Sequence, residues 1–278
     1  MTERRDLAGK VAIVTGSTQG LGEAIADLFV ERGVVGIVVT GRDRERGRRV
    51  ADRLQRAGAQ AVFVEAELER LDQVRAIVAA ADRTFGRVDI LVNAAAITDR
   101  GNILDTSPEL FDRMFAVNVR APFFLMQECV RIMLREGIEG AIVNILSMSA
   151  HGGQSFLTPY SASKTALLGL TRNVAFSLLP HRIRVNGLAI GWMDTPGEHL
   201  VQKKYHDAPD DWLARVEAER PFGRLLKPAE VARAVAFLVS PESGMMTGSI
   251  VDFDQTVQGC WDAPPLPTAA ATRPAARH

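Results

Sequence analysis

Val11-Ala-Ile-Val-Thr15-Gly16-Ser-Thr-Gln-Gly20-Leu-Gly22 is the stretch whose reading decides the fold. A β-branched run, Val11–Thr15, stops at Gly16. A helical pattern, Leu21–Arg32, follows at once, with Ile25, Leu28 and Phe29 on one face, and Gly33 ends it. A strand feeding a helix through a glycine turn points unpaired N–H groups and a positive dipole end at the turn. Glycine lets the backbone approach a pyrophosphate there. The spacing is not G-x-G-x-x-G, and a glycine turn by itself also suits a tight turn without ligand. Its place after an apolar strand at the start of an alternating chain makes it a nucleotide loop.

The same alternation continues outward. Further strands are read at Val34–Thr40, Ala61–Val64, Val88–Val92, Ala141–Leu146, Ile183–Ala189 and Ser249–Phe253. Helices are read at Asp43–Arg56, Asp72–Phe85, Pro108 to Glu136, Ser161–Leu179 and Pro228–Val239. The strands are almost continuously apolar, as strands covered on both faces are. Repeated right-handed β–α units give an α/β fold, a doubly wound parallel sheet of about seven strands with helices on both faces. Residues 1–260 are read as one domain. Within it Gly191–Lys227 is long, polar and dotted with Trp192, Trp212 and Phe222, and is read as a substrate lid. The Pro- and Ala-rich tail, 261–278, is expected to be extended or disordered.

Composition narrows the class. The chain has 278 residues, enough to bury about three-quarters of its unfolded surface without disulfides. Lys+Arg and Asp+Glu number 33 each, so no excess charge favours a nucleic-acid partner. No apolar run reaches the roughly 20 residues of a membrane span. Two cysteines, Cys129 and Cys260, make no disulfide framework, and the start of the chain has no signal-peptide pattern. A cytoplasmic location is expected. No histidine pair has ligand spacing, so no metal is expected.

Two further places carry chemistry. At the end of the second strand, an acid would hold a ribose hydroxyl, but the sequence is Thr40-Gly41-Arg42. Arginine there suits a 2′-phosphate and favours NADP, with NAD as the alternative. Gln19 adds no second cation, and Arg42 also reads as the start of an arginine-rich solvated helix face. Tyr160 and Lys164 stand one helical turn apart. An ammonium beside a phenol is expected to lower the phenol's pKa and tune it for proton transfer. Alone this pair also fits an ordinary surface helix. Ser147, thirteen positions earlier at a strand's carboxyl end, lies at the edge where open sheets bind ligands.

These features together resemble the classical short-chain dehydrogenases/reductases. The resemblance spans about Ala8 to Thr256. It rests on the glycine stretch above, Asp89-Ile-Leu-Val-Asn93-Ala-Ala-Ala96, Asn118, Ser147, Tyr160-Ser-Ala-Ser-Lys164 and Ile183-Arg-Val-Asn186. It implies a Rossmann-type sheet, a nicotinamide cofactor and hydride transfer at a carbonyl or hydroxyl carbon. It implies Tyr160 as general acid/base, Lys164 as its pKa-lowering partner and a ribose ligand. Ser147 would orient the substrate oxygen, and Asn118 would hold a linking water. Cofactor contacts are implied at Gly16, Thr18, Gln19, Gly20, Leu21, Gly22, Arg42, Glu67, Leu68, Asn93, Ala94, Ala95, Tyr160, Lys164, Ile190, Gly191, Met193 and Thr195. Three departures stand out: Ala94 and Ala96 for Asn and Gly, Ile190-Gly191 for Pro-Gly, and Asp254-Gln255-Thr256 for Asp-Gly-Gly.

Candidate substrate residues are Ser149, His151, Gln154, Trp192 and Glu198, with His199 beside them; the two histidines also read as loop residues. This polar set suits a small hydroxylated substrate such as a sugar or polyol. Helices Pro108–Glu136 and Ser161–Leu179 are apolar on more than one side, and with the family resemblance this leads to an expected homotetramer. A non-catalytic cofactor sensor or scaffold of the same fold is the alternative function. Ser147, Tyr160, Lys164 and Asn118 together speak against it.

Overall fold

Each apolar run becomes a strand, and alternate side chains serve opposite layers. The computed structural model describes residues 5–260, so the reading of the 261–278 tail lies outside the described residues. Chain order is β1 Val11–Val14, α1 Gly20–Glu31, β2 Gly36–Gly41, α2 Arg44–Arg56, β3 Gln60–Glu65, α3 Leu71–Phe85 and β4 Ile90–Asn93. It continues with α4 Pro108–Phe115, α5 Ala121–Arg135, β5 Ala141–Ser147, α6 Thr158–Ser177, β6 Arg184–Ile190, α7 Pro196–His206, α8 Trp212–Ala218, α9 Pro228–Val239 and β7 Ile250–Phe253. The seven strands form one sheet in the order β3-β2-β1-β4-β5-β6-β7, and every pairing is parallel.

Ala12 and Val14 of β1, with Ile37 and Val39 of β2, face Ile25, Phe29, Val50, Leu54 and Val235 from α1, α2 and α9. Ile13 and Val38, between them, face Ile77, Val78, Leu125, Met126 and Cys129 from α3 and α5. The two-residue period of a strand thus feeds two cores, which is why these strands show no polar face. Full burial of a side chain such as Phe29 contributes about 1.5–3 kcal/mol.

Strand order reverses between β1 and β4, which leaves a crevice at the carboxyl edge of the sheet. The structure adds detail to two sequence readings. The helix expected over Pro108–Glu136 is interrupted by a π-helical turn, Ala116–Arg120. The wider turn carries Asn118, a common arrangement near functional sites. The polar stretch Gly191–Lys227 is not an open loop: it contains α7 and α8. Thr195 caps α7, its Oγ1 accepting from the Glu198 N–H at 3.1 Å. Trp212 of α8 is 4% exposed, so an apolar anchor holds the segment where no apolar periodicity announced it.

Candidate active site

A cavity of about 2300 Å³ opens at this edge. All the candidate residues except Asn93, Asn118 and His199 line it.

The glycine turn forms one end. Gly16 has φ +65°, and a Cβ on it would lie 2.9 Å from the Ala95 Cα. A Cβ on Gly22 would lie 2.4 Å from the Gly16 carbonyl oxygen. Only glycine lets helix and turn approach so closely. Gln19, extended at φ −167°, precedes α1 and makes no side-chain cap, so the amides of the first turn stay open at the cavity. Thr15 Oγ1 accepts from the N–H groups of Ala94 and Ala95, each at 3.0 Å. That clamp fixes the strand end where alanines replace the usual Asn and Gly. Asn93 donates to Asn144 Oδ1 at 2.8 Å behind the cavity wall.

Arg42 is exposed at the end of β2 and has no hydrogen bond or ion pair among the described residues. Arg44, by contrast, pairs with Glu65 at 2.6 Å. Sequence reasoning missed Arg46, whose guanidinium donates to Gln19 Oε1 and pairs with Asp43 at 2.8 Å. A second cation therefore does stand beside the turn. Its place in the first turn of α2, three residues after the Asp43 cap, was the signal that could have found it.

Ser147 ends β5. Its Oγ accepts from the Ser149 N–H at 3.1 Å, which leaves the hydroxyl hydrogen free to point elsewhere. It bonds the Tyr160 phenol. Tyr160 and Lys164 project from the first two turns of α6. Lys164 is 3% exposed and its Nζ donates to the Ile145 carbonyl at 2.7 Å. Burial lowers its pKa to about 8. Tyr160 moves against expectation. Burial, helped by the Glu198 charge, raises its pKa to about 12, while Ser147 and Arg100 oppose the rise. The ammonium is turned to a backbone carbonyl, 5.8 Å from the phenol ring centre, so it does not govern the phenol in this state. Asn118 lies behind this wall. Its Oδ1 accepts from the Ile97 N–H at 3.0 Å, and its Nδ2 donates to the Ile97 carbonyl at 3.0 Å and Ser163 Oγ at 3.1 Å.

The substrate candidates divide. The side chains of Ser149 and Gln154 line the cavity and make no hydrogen bond among the described residues. His151 pairs with Asp252 at 2.9 Å. Trp192 donates to Glu198 Oε1 at 2.8 Å, and Gln202 donates to the same oxygen at 2.7 Å. His199 lies off the cavity, bonded to Asp194 at 2.9 Å and receiving the Trp212 indole N–H at 3.1 Å. It is framework for α7 and α8. Gly191 has no room for a side chain, since a Cβ there would meet Asp254 at 1.8 Å. Gln255 accepts from the Phe222 N–H and donates to the Arg224 carbonyl, both at 2.9 Å, and so ties the 191–227 segment to β7. Arg100, Phe156, Tyr205 and Arg220 also line the cavity. No motif or period in the sequence marked them.

The family model described as enoyl-(acyl carrier protein) reductase matches residues 16–257. Galactitol 2-dehydrogenase of Agrobacterium fabrum is 32% identical over 254 residues, covering 89% of this chain and 97% of its own length. A solved short chain dehydrogenase/reductase family protein is 36% identical, with TM-score 0.78 and coverage of 90% and 97%. An actinorhodin polyketide ketoreductase variant solved with NADPH is 30% identical, with TM-score 0.82 and coverage of 90% and 97%.

Proposed function

This chain belongs to the classical short-chain dehydrogenase/reductase family and is an oxidoreductase of alcohols and carbonyls; from that premise we propose that it uses NADP(H), that Tyr160 moves the proton, and that its substrate is small and polar. Family membership sets aside the non-catalytic alternative. The observation that carries the reading is the convergence of Ser147, Tyr160 and Lys164 on the cavity into which the glycine turn opens. The residues at the turn suit a dinucleotide: open first-turn amides for a pyrophosphate, and the unpaired Arg42 for a 2′-phosphate. When bound, the nicotinamide supplies or accepts the hydride.

In carbonyl reduction Tyr160, protonated at neutral pH, gives its proton to the substrate oxygen. The Ser147 hydroxyl, which bonds the Tyr160 phenol, would donate to the same substrate oxygen. Lys164, whose Nζ donates to the Ile145 carbonyl, would hold the ribose of the cofactor. Asn118, in its π-helical turn, fixes the Ile97 backbone beside them and positions a linking water. The 191–227 segment closes over the substrate and selects it. A polyol-like substrate agrees with the polar wall of Ser149, Gln154 and Glu198, and with the galactitol 2-dehydrogenase likeness.

Exposed Phe111, Phe123 and Phe176 on α4, α5 and α6 support a homotetramer built on these helices. Free Cys129 and Cys260 support a cytoplasmic location, and no described helix is long and apolar enough to cross a membrane.

The test is a screen of nicotinamide absorbance change, with both cofactors, over sugars, polyols, hydroxy acids, steroids and simple ketones. Tyr160→Phe should cut turnover of any active substrate about 10²–10⁴-fold with cofactor binding unchanged. Retained turnover would remove Tyr160 from the mechanism.

A further inference from the structure

Several described arginines meet a carboxylate, as Arg44 meets Glu65, Arg113 meets Asp99 and Arg224 meets Glu230. Arg100 does not, among the described residues, although it lines the catalytic cavity. It is nonetheless held from several sides. Its Nη1 donates to the Thr98 carbonyl at 2.9 Å, and its Nε donates to His206 Nε2 at 3.2 Å. Its guanidinium lies 5.4 Å from the Phe156 ring centre and 6.0 Å from that of Tyr205. The adjacent acid cannot neutralise it. Asp99 is already taken by Arg113 at 3.0 Å, by Lys204 at 3.7 Å and by the Tyr205 hydroxyl at 2.5 Å. The local sum is positive.

The position is as telling as the charge. The Gly101 N–H donates to the Phe156 carbonyl at 2.9 Å, and the Thr158 N–H donates to the Gly101 carbonyl at 3.1 Å. These bonds fix the residue after Arg100 to the segment that leads into α6 and Tyr160. Glu198, on α7, lines the same cavity and disfavours a carboxylate beside it, which leaves Arg100 as the favourable place for one. A guanidinium fixed on aromatic faces, with donors to spare and no internal carboxylate, is a preorganised carboxylate receptor.

Resting on the oxidoreductase reading above, we propose that Arg100 reads an acid group on the substrate, so that the preferred substrates are small secondary alcohols or ketones bearing a carboxylate. Its Nη2, which no described residue takes, is the donor the carboxylate meets first.

The experiment uses matched pairs with both cofactors: D-gluconate against D-glucitol, and 3-hydroxybutyrate against 2-butanol. The acid of at least one pair should exceed its neutral partner about 10- to 100-fold in kcat/KM, the range of a charge-assisted hydrogen bond. Arg100→Gln should level the pair through KM with little change in kcat, and Arg100→Lys should restore part of the preference. His206→Ala removes a partner of Arg100 but keeps the charge, so it should keep the preference. Arg220→Gln is the comparator, because Arg220 also meets no carboxylate among the described residues and lies over Trp192 at 5.1 Å. Loss of preference in Arg220→Gln with retention in Arg100→Gln would overturn the assignment. Neutral substrates used as well as acids would overturn it while leaving the oxidoreductase reading intact. Turnover of neither pair alongside activity on an uncharged member of the wider screen would overturn the acid reading alone, whereas no turnover anywhere in the screen would count against the oxidoreductase reading too.

Discussion

Lys164 is a buried ammonium, and replacing it with methionine should separate its chemical task from its cost to the fold. The residue is 3% exposed, and its pKa falls from 10.5 to about 8 through burial. That gap corresponds to a burial cost of about 3 kcal/mol for the charged form at neutral pH. Lys164→Met removes this cost but also removes the hydrogen bond to the Ile145 carbonyl, which offsets about 1.5–3 kcal/mol. At pH 7 the variant should therefore be as stable as the parent or more so by about 1–2 kcal/mol, while turnover is lost. The pH dependence is sharper. The folded lysine gives up its proton near pH 8, the unfolded one near 10.5. Between these values the unfolded chain holds the extra proton, so the parent gains stability as pH rises. The gain is about 2–3 kcal/mol by pH 10, below the range where Tyr160 titrates. Denaturant unfolding of parent and variant at pH 7, 8.5 and 10 measures the difference, since other groups cancel between them. An equal slope in both proteins, or a variant more than about 2 kcal/mol less stable at pH 7, would refute this account of the buried ammonium.

Arg42→Ala should weaken NADPH about 10- to 100-fold more than NADH in a fluorescence titration, because only NADPH offers the phosphate; equal losses would show that Arg42 does not read it. Gly22→Ala puts a Cβ 2.4 Å from the Gly16 carbonyl oxygen, so the turn must shift. Cofactor binding should be lost and stability should fall by about 1–3 kcal/mol, as titration and Tm would report. Gln255→Ala frees the Phe222 N–H and the Arg224 carbonyl. KM for the organic substrate should rise about tenfold with kcat little changed, and an unaltered KM would exclude this tie as a support of the site.

Much of the fold was legible because its signals are local. The runs Val11–Thr15 and Val34–Thr40 read as strands from their own residues and form them at Val11–Val14 and Gly36–Gly41, and the glycines from Gly16 to Gly22 announced a turn where backbone must come close. Tyr160, Lys164 and Ser147 were legible through helical spacing and strand position. The 191–227 segment was not, because α7 and α8 are stabilised by distant contacts such as Trp212 on His199 and Gln255 on Phe222 and Arg224. Helix propensity in so polar a stretch gave no period to detect.

The sequence by itself determined the layered sheet, the glycine turn and which residues could exchange a proton, since each follows from spacing along one strand or one helical turn. Only the tertiary structure decided their electrical state. Burial sets Tyr160 near 12 and Lys164 near 8, the reverse of what their proximity suggested. Only the fold, too, brought Arg100 to His206 and Asp99 to Tyr205, each across 106 positions of chain. Charge and solvation depend on everything within a few ångströms in space, and spacing along the chain does not report it.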